Sequence, residues 1–252
     1  MVMADCLDGH CDGSGFLYEE GSRVTRDCSC RPRRIARRKA RKLAGLIPRR
    51  FQGVSFDRAP VTLMDPTVVR AVRRYVDTLD TQLEEGRGIW FRGDVGTGKT
   101  TLAMLVSAEA LRNGHSVAIY SLPRLLGMLR ETFDQESEGS LSDLLDRLAS
   151  VELLHIDDVG AEQSSPWVLE QLYTIVNTRY EDSRAIVLTT NLDMPALREQ
   201  IGDRTVSRLV EMCGDPLPLF GADHRMESEI VLPGGDEPIP YGAARSRPYA
   251  AS

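Results

Sequence analysis

Gly93-Asp94-Val95-Gly96-Thr97-Gly98-Lys99-Thr100 follows the apolar run Ile89-Trp90-Phe91 and opens a helical pattern over residues 101–111. Strand, glycine-rich loop and helix are the setting that a phosphate-binding P-loop requires. Glycines let the backbone curl until its N–H groups and the start of the following helix converge on phosphate oxygens. The stretch from Gly93 to Thr101 is therefore expected to cradle ATP, with Lys99 reaching the β- and γ-phosphates and the Thr100 hydroxyl offered to Mg²⁺. A plain glycine turn before an ordinary helix would require neither the lysine nor the threonine at these spacings.

A second nucleotide signature lies some sixty residues on. Val151-Glu152-Leu153-Leu154-His155-Ile156-Asp157-Asp158 reads as a buried strand ending in paired carboxylates. Asp157 is placed in the Mg²⁺ shell, and Asp158 is given the task of orienting water as general base. His155, inside the strand, reads as a packed histidine rather than a ligand. Residues 185–190 form a further buried strand that ends at Asn191, whose amide can address both the γ-phosphate and the attacking water. Capping the turn before Asp193-Met194-Pro195 is the structural alternative for Asn191. Arg204 and Arg208, four apart, share one face of a helical segment. They serve either as surface charge or as phosphate ligands within one subunit or across to its neighbour.

Between these signatures helix and strand patterns alternate. A helix is expected over 66–84, with Val68, Val69, Val72, Val76 and Leu79 as its apolar stripe. A strand follows at 116–120, a helix at 122–133, a loop at 134–140, a helix to 148 and a last short strand at 215–220. This alternation predicts an α/β fold, a parallel sheet flanked by helices. The 252 residues suffice for one nucleotide-binding domain, expected over 51–232, and a small appendage. Residues 233–252, dominated by Gly, Pro, Ala and Arg, are expected to be an irregular tail.

Residues 1–30 contain four of the five cysteines: Cys6, Cys11, Cys28 and Cys30. Their clustering, in a chain whose first ten residues lack the apolar core of an export signal, points to a metal site rather than disulfides. Four thiolates suit one tetrahedral Zn²⁺, and a segment this small gains from metal what it cannot gain from a core. Reduced thiols and an iron–sulfur centre are the other readings, and His10 could stand in for one cysteine. Residues 31–50 contain ten Lys or Arg and no acidic residue, in a chain whose net charge is -6. Ile35, Leu43 and Leu46 lie near one face of the expected basic helix. Nucleic-acid phosphates or an acidic protein surface are its expected partners, and the charge pattern alone does not separate them. No apolar run approaches the roughly 20 residues needed to cross a bilayer, so a cytoplasmic protein without membrane contact is expected.

The chain resembles the AAA+ helicase-loader family of DnaC/DnaI type, with the transposition-associated IstB ATPases as close relatives. GDVGTGKT at 93–100, HIDDVG at 155–160 followed by Glu162, the Asn-Thr-Arg-Tyr run at 177–180, LTTNL at 188–192 and GDRTVSRL at 202–209 occur in the family order. The resemblance implies an AAA+ P-loop ATPase in which Asn191 is sensor 1, Arg208 an arginine finger facing the next subunit's γ-phosphate, and Arg225 a sensor-2-like residue. Arg204 remains a second candidate for the finger. It further implies self-assembly through the AAA+ interface, with ATP and single-stranded DNA controlling contact with a hexameric replicative helicase. In the family an N-terminal segment makes that contact, sometimes through zinc, although Cys28-x-Cys30 departs from a regular finger. Residues 47–51 resemble the lead into the ATPase core that is often placed beside the adenine. An IstB-like transposition ATPase and a scaffold that binds ATP but scarcely hydrolyses it are the alternative functions.

Overall fold

Five parallel strands carry the architecture: β3 (Ile89–Gly93), β4 (Val117–Ser121), β5 (Leu153–Val159), β6 (Ala185–Thr190) and β7 (Leu217–Leu219), in the order β4-β5-β6-β3-β7. They are seen in a computed structural model that describes residues 6, 10–11, 14–18, 25–32, 34, 47–134, 138–161 and 165–221. Helices α1 (Pro66–Asp77), α2 (Leu79–Glu84), α3 (Lys99–Arg112), α4 (Leu122–Asp134), α5 (Glu138–Ser150), α6 (Pro166–Glu181), α7 (Met194–Ile201) and α8 (Asp203–Cys213) connect and cover them. A short antiparallel pair, β1 (Phe16–Tyr18) and β2 (Thr25–Asp27), stands apart near the N-terminus. Parallel strands joined through helices are what the alternating apolar runs predict.

Side chains alternate along each strand, so the sheet supplies two cores. Trp90, Tyr120, Leu154, Ile156, Ile186 and Leu188 pack with residues of α4, α6 and α8. Ile89, Phe91, Ile119, Leu153 and Val187 pack on the opposite side with α1 and α3. All six residues of β6, the middle strand, are buried, which explains its unbroken apolar and threonine character. Three helix starts are fixed by an acceptor side chain followed by proline in the first turn: Asp65 to Thr67 N, Ser165 to Val168 N and Asp193 to Ala196 N.

The register decides where function can sit. Thr190 pairs with Arg92 on one side and with Val159 on the other, so β3, β6 and β5 end at one level. The loop after β3, the carboxylates of β5 and Asn191 after β6 therefore converge at the C-terminal edge of the sheet, where open parallel sheets bind ligands.

The structure corrects several boundaries. The helix expected over 66–84 breaks at Thr78, whose backbone leaves the helical region (φ -113°, ψ 24°) while its hydroxyl donates to the Arg74 carbonyl at 3.0 Å. α5 starts at Glu138, so the expected loop before it is shorter, and β5 extends past the carboxylates to Val159. Most of the expected basic helix at 31–50, together with Glu162, Arg225 and the tail at 233–252, lies outside the described residues. No helix among the described residues is long and apolar enough to cross a membrane.

Candidate nucleotide site

β3 delivers the chain to Gly93, whose φ of 152° and close approach to β7 leave no room for a side chain. A Cβ there would collide with the Leu219 carbonyl oxygen. Gly98, at φ 97°, begins α3 in the left-handed region, and a Cβ there would run into the Met64 methyl. These two glycines set the loop's shape, and α3 begins at Lys99. The buried Lys99 ammonium donates to the carbonyls of Gly93 at 2.9 Å and Asp94 at 2.5 Å, within the loop it is expected to serve.

Consecutive strand residues point to opposite faces, so Asp157 and Asp158 on a regular strand would diverge. A bulge prevents this. Ile156 pairs with Leu188 and Val159 with Thr190, so β5 carries one more residue than β6 between these pairs. Asp158 absorbs the excess at φ 61°, a region that aspartate tolerates better than most residues. Both carboxylates consequently line the same cavity. Thr189 stitches the bulge together: its hydroxyl donates to Asp157 Oδ1 at 2.7 Å and accepts from the Asp158 N–H at 2.8 Å. The Asn191 amide donates to Asp158 Oδ1 at 3.2 Å.

The Thr100 hydroxyl donates to Asp157 Oδ1 at 3.0 Å. This pair of hard oxygen donors fits Mg²⁺, which takes few protein ligands and keeps several waters. Burial alone would raise the Asp157 carboxyl, but His155 and the hydroxyls of Thr189 and Thr100 outweigh it and hold the group below its ordinary range. The carboxylate is thus ionised where a cation would be held.

The cavity measures about 730 Å³, within the ordinary range for small-molecule sites. Gly96, Lys99, Thr100 and Thr101 line it together with Asp157, Asp158, Thr189 and Asn191. Arg50, Phe51, Pro60 and Met64 also contribute, Phe51 from the stretch that the family resemblance sets beside the adenine. Pro60 and Met64 are additions that no motif announced, and Thr189 falls within LTTNL at 188–192 without a role having been read for it, because a threonine in a buried strand reads as a β-branched filler.

Arg204 and Arg208 do not line the cavity. They project from α8, where Thr205, Val206 and Leu209 are buried. Arg208 stacks on Tyr180, 4.1 Å from the ring centroid, and faces Glu211 at 3.8 Å, while the Tyr180 hydroxyl donates to Glu211 at 2.8 Å. Arg204 is exposed and forms no ion pair among the described residues. Arg179, one residue before that tyrosine, is fully buried and donates to the carbonyls of Leu148, Ala149, Val151, Glu152 and Ala185. It is a structural tie between α5, β5 and β6, and burial pushes its guanidinium down to about 9.

A second cluster lies beside the β1–β2 pair. Cys6 Sγ is 3.7 Å from Cys28 Sγ and Cys11 Sγ is 3.6 Å from Cys30 Sγ, with all four sulfurs within 4.8 Å of one another. Tetrahedral ligation with Zn–S bonds of about 2.3 Å separates sulfurs by about 3.8 Å, so the cluster is compatible with one zinc. Cys28 and Cys30 are buried, and the Cys28 N–H donates to the Gly15 carbonyl in the turn before β1. His10, exposed, is not among the clustered groups.

Comparison with known proteins follows the same lines. The sequence model of the IstB-like ATP binding protein family matches residues 34–211. The replicative helicase loader DnaC of Escherichia coli K12 is 31% identical over 137 residues, 54% of this chain and 54% of its own length. The chain thus spans about half the length of the DnaC relatives it matches. The phage-like element PBSX protein XkdC of Bacillus subtilis 168 is 27% identical over 243 residues, 88% of this chain and 86% of its own. Among solved structures, the crystal structure of the DnaC helicase loader superposes with a TM-score of 0.59 at 24% identity, covering 69% of this chain and 99% of that one. The likeness establishes an AAA+ P-loop fold.

Proposed function

The chain belongs to the IstB-like ATP binding protein family, with its DnaC-type relatives, and from that premise we propose that it is an ATP-dependent helicase loader. It binds a hexameric replicative DNA helicase and delivers it to single-stranded DNA, and hydrolysis of ATP to ADP and phosphate controls release. The observation that carries this reading is the convergence of Lys99, Thr100, Asp157, Asp158 and Asn191 on one cavity of a loader-like fold.

In the proposed mechanism the backbone of residues 93–101 and the start of α3 bind the phosphates, and Lys99 exchanges its loop carbonyls for phosphate oxygens. Thr100 and Asp157 would hold Mg²⁺, which would neutralise phosphate charge when bound. Asp158 takes a proton from the attacking water, and Asn191 fixes the carboxylate and the water relative to each other. Arg208, or Arg204 in its place, completes the site of a neighbouring copy, with Arg225 as a further phosphate ligand. Residues 51–232 form the ATPase unit, residues 1–30 a zinc-bound docking element, and residues 31–50 a basic connector. A cytoplasmic setting follows from a helicase partner.

The family match also favours a second reading, an IstB-like ATPase that acts with a transposase on duplex DNA. Capture from native lysate with Asp158→Asn, which keeps the phosphate loop but lacks the base, separates the two. Recovery of the replicative helicase, strengthened by ATP and single-stranded DNA, is expected. Recovery of a transposase with duplex DNA, and no helicase, would overturn the loader reading.

A further inference from the structure

Alternation along β5 sends Leu153, His155 and Asp157 to the sheet face covered by α3. His155 is fully buried there. Its Nδ1 lies 2.9 Å from Ser107 Oγ, two turns along the helix that begins at Lys99. Its Nε2 is buried without a hydrogen-bond partner among the described residues, yet it faces Asp157 Oδ1 at 3.9 Å. A buried polar atom left unpaired is destabilising, and an aliphatic side chain at this strand position would avoid that cost. The unsatisfied nitrogen is aimed at the one carboxylate given to Mg²⁺.

We propose that His155 is a positioning residue that orients the Asp157 carboxylate toward Mg²⁺ and ties that carboxylate to α3 through Ser107. The inference rests on Asp157 being the Mg²⁺ carboxylate. The hydrogen bond on one ring nitrogen determines the proton on the other. We assign the Ser107 hydroxyl as donor to Nδ1, which leaves the proton on Nε2, pointed at Asp157. Closing 3.9 Å to hydrogen-bond distance requires a movement of roughly 1 Å, within reach of a side-chain rotation of Asp157. Oδ1 already accepts from Thr100 and Thr189. A third donor from the strand side fixes the carboxylate plane as Thr100 turns its oxygen toward the metal. The phosphate loop and the metal carboxylate are then held in one frame through the helix between them.

Titration of a fluorescent, non-hydrolysable ATP analogue with and without Mg²⁺, on the full chain, tests this. Outer-shell partners of metal ligands typically change metal affinity about 10–100-fold. His155→Leu is expected to reduce the Mg²⁺-dependent gain in analogue affinity about tenfold and to leave the Mg²⁺-free affinity unchanged. His155→Gln, which keeps an N–H donor, should recover part of the gain. ¹⁵N spectra of the histidine ring in the Mg²⁺-loaded complex should show the proton on Nε2. If melting curves show that His155→Leu does not fold, Ser107→Ala carries the test, with a smaller loss of Mg²⁺ dependence and a mixed tautomer expected. A folded His155→Leu, or Ser107→Ala in its place, with wild-type Mg²⁺ dependence would overturn the inference if Asp157→Asn has lost that dependence. Unchanged Mg²⁺ dependence in Asp157→Asn would overturn the carboxylate's assignment and the inference with it.

Discussion

Asp158 and Thr189 carry the most information per residue. A carboxylate in the left-handed region of a bulge, with its N–H held by Thr189 and its side chain by Asn191, is fixed before any ligand arrives. Preorganisation of this kind is what a general base needs. Asp158→Asn should therefore bind ATP about as well as the parent and lower kcat roughly 100-fold or more, whereas Lys99→Ala should weaken ATP binding itself. Equilibrium binding and single-turnover hydrolysis, measured side by side, check the pair; an Asp158→Asn protein with near-normal kcat would move the base elsewhere. The P-loop was legible in sequence because eight positions and their flanks had to agree. Thr189 was not, since nothing in Ala-Ile-Val-Leu-Thr-Thr reveals which threonine faces a bulge in the neighbouring strand.

Elements were read well where a period could be counted and less well where a side chain competed with the backbone. Strands β3 to β7 and the order of helices followed from apolar runs, but the break at Thr78 depends on a hydroxyl returning to Arg74. The same α2 helix joins the sheet through a polar network that local pattern also could not show. His115, buried at the end of the α3 turn, lies with Nδ1 2.9 Å from Glu152 and Nε2 2.5 Å from Asp80, while Glu152 also accepts from the Ser116 N–H and hydroxyl. Burial opposes charge on both groups, yet the pairing wins: the Glu152 carboxyl falls from 4.5 to about 2, and His115 rises above 6.5. The lowered carboxyl stabilises the fold above about 4.5, an effect lost as pH falls toward 2. The raised imidazole stabilises it below about 6.5, an effect lost as pH rises through its folded-state value. Both contributions are present between those limits. Tm against pH should accordingly be highest near pH 5–6 for this network, and Glu152→Gln should flatten both flanks and cost about 2 kcal/mol at the maximum. A Glu152→Gln profile parallel to the parent's would show that the pairing contributes nothing.

At the scale of the whole molecule, we propose a zinc-bound N-terminal element joined to an ATPase whose site a neighbouring chain completes. Purified under reducing, metal-replete conditions, the protein should contain about one zinc per chain, and Cys28→Ser should lose it together with local order near the β1–β2 pair. Elemental analysis without zinc would reject that part. The trans-acting arginine comes from the family resemblance of GDRTVSRL at 202–209, and local pattern gave no geometry for it. Arg208 stands away from the cavity of its own chain, stacked on Tyr180 and facing Glu211. We propose that its guanidinium serves the phosphate of a neighbouring chain. Mixing Lys99→Ala chains, which retain Arg208, with Arg208→Ala chains, which retain an intact phosphate loop, tests this directly. Each variant alone should be nearly inactive, and titrating one into the other should restore part of the assembly-stimulated ATP hydrolysis. Full activity in Arg208→Ala alone, or no recovery in demonstrated mixed assemblies, would contradict the account and turn attention to Arg204.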